Sequence, residues 1–510
     1  MTARALMILG TGSDAGKSLA VAALCRILRQ DGFNVAPFKA QNMALNSFAT
    51  IEGHEIGRAQ AMQAQAAGIE PHVDMNPILL KPTSDVGSQV ILNGKVLGNY
   101  RGVDYYGLKD RLLETVSAAY ARLASRHEII VLEGAGSPVE MNLKDRDVVN
   151  LKMAEIADAA CVLVADIDRG GVFASLVGTY SLLEPAERAR FCGFLINKFR
   201  GDLSLFTDGV YYLEEKLGQP CLGVIPYLHN HGIDDEDSVS LERRAVKPPE
   251  GSKDKLTVCV VGFPYLANFT DFTALEQQAD VVVYYTSRAD QARLADVLIL
   301  PGSKNTISDL NWVKQNGWLA AIKDHVAAGK PVLGICGGFQ MLGTEIRDPY
   351  LTEGDVRVAQ GLGALDVKTV LAREKVTRQA SATLYKTSAR TNENGPTFTG
   401  YEIHLGETSL GEDVQPLFRL QRAGDNEIRC DGAIACDGKI LGTYLHGLFD
   451  SVDGLSWILN HWRRLLGKHG NQTVLDPNAE RERRYDALAD HFRRHLNLDL
   501  IYSALKERRQ

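Results

Sequence analysis

Pro331-Val332-Leu333-Gly334-Ile335-Cys336-Gly337-Gly338-Phe339-Gln340-Met341-Leu342 begins as an apolar run of strand character, breaks at two glycines and continues in helix formers. The pattern predicts a strand-to-helix turn with Cys336 at its apex, the geometry of a nucleophile elbow. Glycines after the cysteine let the backbone turn without a Cβ clash, and a helix N-terminus beneath the sulfur favours its thiolate. The competing reading is a buried strand cysteine followed by an ordinary loop, since free cysteine is among the most buried residue types.

A second stretch weighs against that competitor. Gly438-Lys439-Ile440-Leu441-Gly442-Thr443-Tyr444-Leu445-His446-Gly447 is an apolar strand ending on a histidine. A cysteine and a histidine at two strand ends, distant in sequence, have the arrangement expected of a nucleophile and its base. Val297-Leu298-Ile299-Leu300-Pro301-Gly302-Ser303 ends a third strand in a flexible turn, able to aim a backbone N–H at a developing oxyanion beside that of Gly337. Pro301-Gly302-Ser303, Gly334-Ile335-Cys336-Gly337-Gly338 and Tyr444-Leu445-His446-Gly447 resemble the glutaminase domain of class I glutamine amidotransferases. The resemblance implies L-glutamine as nitrogen donor, with Cys336 and His446 catalytic and Gly302, Ser303 and Gly337 around the oxyanion and the glutamine. One departure stands out: His446-Gly447-Leu448 puts leucine where most of the class carries the acid of His-x-Glu. The cobyrinate-amidating branch resembles this sequence in lacking that acid, so the group that fixes the His446 tautomer stays open.

Composition sets the frame. At 510 residues the chain is too long for one core and predicts two or three domains. Its 45% hydrophobic and 23% charged residues are those of a soluble protein, and the net charge of -7 gives no sign of a nucleic-acid surface. No apolar run reaches the length of a membrane span and no signal segment opens the chain, so the expected location is the cytoplasm. The eight cysteines are scattered without a C-x-x-C pair and read as reduced thiols.

The N-terminal half carries a different chemistry. A buried strand over residues 3–9 leads into Gly10-Thr11-Gly12-Ser13-Asp14-Ala15-Gly16-Lys17-Ser18 and then a helical pattern from Leu19 to Arg29. Strand, glycine loop, Lys-Ser and helix make a phosphate cradle: backbone N–H groups from Gly12 to Gly16 face the phosphates, Lys17 neutralises charge and Ser18 can hold Mg2+. Five residues rather than four separate Gly10 from Gly16. That longer loop resembles dethiobiotin synthetase and its relatives, which phosphorylate a carboxylate, and implies ATP. Glu128-Ile129-Ile130-Val131-Leu132-Glu133 is a strand ending in an acid placed to share the metal with Ser18. The strand ending at Asp166 enters Ile167-Asp168-Arg169-Gly170-Gly171, and Asp166 is carried as a further metal-ligand candidate. Asn197, in Asn197-Lys198-Phe199-Arg200, resembles the base-recognition turn of related nucleotide enzymes and would face adenine.

Several stretches are rich in amides: Lys39-Ala40-Gln41-Asn42-Met43, the helical Arg58-Ala59-Gln60-Ala61-Met62-Gln63, Asn76-Pro77-Ile78-Leu79-Leu80-Lys81, and Ser88-Gln89-Val90. Singly they read as solvated loops and helix faces. Together they resemble segments of the cobyric acid synthase family, the glutamine-hydrolysing amidotransferases of cobalamin synthesis. The resemblance spans nearly the whole chain and implies a corrinoid substrate bound by Lys39, Gln41, Asn42, Gln60, Asn76, Lys81 and Gln89. His229-Asn230-His231 reads as a surface loop rather than a metal site, having no third ligand nearby.

The expected fold is α/β, with two domains of mainly parallel sheets. Residues 1–235 form a P-loop ATPase-like domain that binds ATP and corrin, 236–255 a linker, 256–450 a class I glutaminase-like domain and 451–510 a helical C-terminal extension. Three alternatives stand beside this reading. Cobyrinic acid a,c-diamide synthase shares the chemistry, but Gln41-Asn42-Met43 and Asn76-Pro77 argue against it. A ParA-like nucleotide switch uses a similar long P-loop and has no need of a cysteine elbow. The third is a non-enzymatic corrin carrier. The oligomeric state is not legible.

Overall fold

The structure, a computed structural model, describes residues 3–84, 87–229, 231–233, 255–385, 396–470 and 473–507. Most of the expected linker, 236–254, lies outside them, as does Asn230. The chain forms two compact units. The first comprises Met1–Ala44, Ile56–Ile233 and Arg481–Gln510, and the second Leu45–Glu55 and Asp234–Glu480.

The first unit is built on a six-stranded sheet, in the order Cys221–Pro226, Phe191–Phe199, Ala160–Asp166, Arg4–Gly10, Ile129–Glu133 and Val35–Phe38. Every pairing in it is parallel. Its central strands are buried on both faces, which is why they read as unbroken apolar runs. The helix Lys17–Gln30 follows the central strand, so the glycine loop between them lies at the carboxyl end of the sheet, where open α/β folds bind ligands. A smaller sheet of Gln41–Met43, Ile78–Ser84, Gly87–Leu92 and Lys95–Arg101 carries the amide-rich stretches.

The described helices after Ser451 divide between the two units. Helix Val452–Leu466 buries Leu455, Ile458, Leu459 and Trp462 in the core of the second unit. The helices Pro477–Arg493 and Leu498–Glu507 instead put Leu488, Phe492, Ile501 and Leu505 into a core with Leu6, Ile8 and Ile27 of the first. Arg26, itself buried, fastens this return with ion pairs to Glu482 and Asp486 at 2.8 and 2.7 Å.

The second unit has a six-stranded sheet in the order Val281–Thr286, Leu256–Val261, Val297–Leu300, Val332–Ile335, Ile440–Thr443 and Ala433–Ala435. All pairings are parallel except that of the edge strand Ala433–Ala435. The α/β class is as expected, but this unit also holds a mixed sheet that the sequence does not announce. Its spine is the antiparallel pair Val367–Leu384 and Thr397–Leu410. Leu45–Glu55, which lies in sequence within the first half, is built into this unit. Ser47 N–H donates to Asn268 Oδ1 at 2.9 Å, Tyr401 Oη donates to Ser47 O at 3.4 Å, and Lys375 pairs with Glu55 at 2.6 Å.

Candidate active sites

Cys336 occupies the turn between Val332–Ile335 and the helix Gly337–Leu342, with φ 52° and ψ -110°. A non-glycine residue held at positive φ is strained, and the surroundings must enforce it. They do so by hydrogen bonds on both sides: Cys336 N–H donates to Thr443 O at 2.8 Å, and Cys336 O accepts from Gln340 N–H at 3.1 Å. Gly338 is needed for contact rather than for flexibility, because a Cβ there would lie 1.9 Å from Leu300 O. The thiol is buried, and its Sγ lies 3.5 Å from Ile403 O.

His446 follows the neighbouring strand Ile440–Thr443, which pairs in register with Val332–Ile335. Strand Thr397–Leu410 runs past it. Tyr401 exchanges backbone hydrogen bonds with His446 at 3.1 and 2.8 Å, and their rings stack with centroids 5.3 Å apart. Gly400 permits that approach, since a Cβ there would lie 2.0 Å from His446 O. The Gly302–Ser303 turn closes the group. Gly302–Ser303 pairs antiparallel with Leu266–Ala267, a Cβ on Gly302 would come within 3.3 Å of His446 Cε1, and a Cβ on Gly337 would stand 2.9 Å from Ser303 N. Ser303 is fixed by Asp309, whose Oδ2 accepts its hydroxyl at 2.5 Å, and burial pushes that carboxyl up to about 7. Gly337 is the first residue of its helix, where a backbone N–H has no partner inside the helix. Cys336, His446, Gly302, Ser303 and Gly337 are thus brought together.

The residue that sequence reasoning missed is Asp271. His446 Nδ1 lies 2.7 Å from Asp271 Oδ2, and Asp271 Oδ1 accepts from Gly447 N–H at 3.2 Å. Both side chains are almost fully buried, at 1% and 3% exposure, so the pair is shielded from water. Burial opposes a charged imidazole, but the Asp271 carboxylate, with Cys336 adding to it, outweighs that and pushes His446 up to about 10. Its signal in the sequence is an acid set between Phe269 and Phe272.

In the first unit the phosphate loop turns through Asp14 at φ 58° and Gly16 at φ 95°. Lys17 Nζ donates to Gly12 O at 2.8 Å and Gly136 O at 3.2 Å. Ser18 Oγ donates to Glu133 Oε1 at 2.9 Å, which places the expected pair of oxygen donors side by side. Gln63 Nε2 donates to Glu133 Oε2 at 2.5 Å. Hydroxyl and carboxylate oxygens are the donor set that suits Mg2+.

Other expected positions meet neighbours within the chain. Asp166 Oδ2 pairs with Lys198 Nζ at 2.8 Å. Asn197 Nδ2 donates to Ala15 O at 3.0 Å, which holds the glycine loop. Asn76 spends its amide on the backbone: Oδ1 accepts from Gly57 N–H, and Nδ2 donates to Lys39 O and Ile78 O. Asn42 Nδ2 donates to Gln60 Oε1 at 2.9 Å, Gln41 Oε1 accepts from Tyr105 Oη at 2.5 Å, and Lys81 faces Gln89 across a strand pair. Gln60 Nε2, Gln63 Oε1 and Gln89 Oε1 are buried polar atoms without a hydrogen-bond partner among the described residues. His229 packs against Tyr227 with ring centroids 4.6 Å apart and planes tilted by 46°, and no cluster of three or more metal-ligating side chains occurs among the described residues.

Comparison with known proteins finds a family profile in each half of the sequence. Residues 6–237 match the profile described as the CobQ/CobB/MinD/ParA nucleotide binding domain, and 257–454 the CobB/CobQ-like glutamine amidotransferase domain. A cobyric acid synthase of Syntrophobacter fumaroxidans is 48% identical over 506 residues, 98% of each chain. The chain belongs to the cobyric acid synthase family. Other cobyric acid synthases, from Phocaeicola vulgatus (48% identity over 98% of each chain) and Photorhabdus laumondii (47% over 99% of this chain and 98% of the relative), match as fully. Both sites therefore belong to one glutamine amidotransferase. Among the described residues no helix is long and apolar enough to cross a membrane.

Proposed function

We propose that this chain amidates the b, d, e and g carboxylates of adenosylcobyrinic acid a,c-diamide, taking nitrogen from L-glutamine and energy from ATP, in the cytoplasm. The observation that carries the reading is a full-length likeness to cobyric acid synthases in a chain that holds a cysteine elbow and a phosphate loop.

In the glutaminase site His446 Nε2 holds the proton given up by Cys336, and the Sγ thiolate attacks the glutamine carboxamide carbon. The Gly337 N–H and the Gly302–Ser303 turn face the oxygen on which charge develops. The protonated His446 gives its proton to the departing nitrogen, ammonia leaves, and water then releases glutamate from the Cys336 thioester. In the synthetase site the backbone N–H groups of the loop and Lys17 hold the ATP phosphates. Ser18 and Glu133 would hold Mg2+, which when bound neutralises charge on the transferred phosphoryl group. A corrin carboxylate accepts that group, and ammonia displaces it from the resulting acyl phosphate. Lys39, Gln41, Asn42, Gln60, Lys81 and Gln89 supply the substrate contacts in this reading.

Incubation with the corrin diamide, ATP and glutamine, followed by mass spectrometry, tests the proposal. Four added amides per corrin, lost when ATP is omitted, are expected. A product with amides only at a and c, from unamidated cobyrinic acid, would reject it in favour of the diamide synthase.

A further inference from the structure

We infer that Asp271 is the positioning residue of the glutaminase site, standing in for the acid that His446-Gly447-Leu448 lacks. The inference deepens the glutaminase half of the reading above and rests on it.

The hydrogen-bond pattern leaves one arrangement. Asp271 Oδ2 takes the Nδ1 side of His446 at 2.7 Å, so Nδ1 carries the hydrogen and Nε2 is left as the basic nitrogen. Nε2 is buried and has no hydrogen-bond partner among the described residues. Asp271 and Cys336 are the groups whose charge favours a protonated ring, and the stacked Tyr401 is the other titratable side chain on it. Nε2 is therefore the nitrogen that receives the Cys336 proton. The imidazolium then formed has Asp271 on its far side, and its proton leaves with ammonia when the carbon–nitrogen bond breaks.

The carboxylate is itself held rigid. Its second oxygen is tied to Gly447 N–H, and the turn that bears it begins at Asn268, at φ 56°, whose Oδ1 accepts Ser47 N–H. An acid fixed at both oxygens can impose a ring orientation, which a mobile one cannot.

The test uses the full chain with Asp271→Asn and Asp271→Glu, and reads glutamate release, ammonia-driven amidation and the pH profile of glutaminase kcat/KM. Asp271→Asn should lower glutaminase kcat by about 10²–10⁴-fold, the range seen when a triad loses its orienting acid. Ammonia-driven amidation should be unchanged. Removing the charge makes His446 less basic, so the alkaline limb of the profile should move to lower pH, and Asp271→Glu should restore part of the rate. Equal loss with both nitrogen donors, or a glutaminase profile identical to the parent's, overturns the inference. Absence of corrin amidation in the parent would reject the proposed substrate while leaving the glutamate-release result in force.

Discussion

Lys39 Nζ lies 2.8 Å from Glu133 Oε1, the oxygen that also accepts the Ser18 hydroxyl at 2.9 Å. Lysine and glutamate are 5% and 1% exposed, so each is the other's compensation for leaving water. Removing one partner of a buried pair strands the other charge, at a cost of about 3–5 kcal/mol. Lys39→Ala should therefore lower stability by about that much, while Lys39→Met combined with Glu133→Gln recovers most of it. Urea denaturation of the single and double variants checks this, and additive losses would refute the coupling.

In the proposed mechanism Lys17 serves acceptor activation, which precedes nitrogen attack. Lys17→Ala should abolish amidation with glutamine and with free ammonia alike, while glutamate release persists. Ammonia-driven turnover in that variant at the parental rate would remove Lys17 from the chemistry.

Cys336→Ala deletes the proposed nucleophile and keeps the elbow, a volume change small enough for the fold to survive. Glutamine should then fail as donor. Ammonia at high concentration and alkaline pH should still support amide formation, because Lys17 and Glu133 are untouched. Amidation rates with each donor decide the point, and glutamine-supported activity in the variant contradicts it.

Glu402 gives a prediction in pH. Burial opposes its ionisation, but hydrogen bonds from His404 at 3.1 Å and Arg422 at 2.6 Å overcome that and hold the carboxyl down at about 2. A depressed folded value favours the fold above the unfolded value near 4.5, and the benefit fades as pH falls through about 2. The shift amounts to about 3 kcal/mol. Arg422→Met should thus be most destabilising at neutral pH, and the gap to the parent should narrow between pH 4.5 and 2. A gap constant across that range in denaturant titrations would contradict the assignment.

What could be read from the sequence was what is local. A glycine-flanked cysteine between a strand pattern and a helix pattern, or Lys17-Ser18 after a glycine loop, carries its geometry within a dozen residues. Asp271 could not be read that way, because it meets His446 across 175 positions and nothing near it spells out a partner. Nor could the ion pair of Asp166 with Lys198 be read, because Lys198 reaches it from the adjacent strand only once the parallel register Asp166–Asn197 is set. The antiparallel pair Val367–Leu384 and Thr397–Leu410 was hidden for another reason. Twelve of its 32 residues are buried, so its apolar content never rises to the unbroken runs of the parallel strands.

Leu45–Glu55 and the helical return after Glu480 cross the chain's order in opposite directions. A gene cut at the expected linker would yield neither working half. The C-terminal product would lack Ser47, on which Asn268 and Tyr401 converge, and the N-terminal product would lose the helices that cover Leu6 and Ile8. Anyone splitting the enzyme, or grafting its glutaminase onto another synthetase, must move residues 45–55 with the second unit and 481–507 with the first. The two activities are therefore tied together by threading as well as by the ammonia they share.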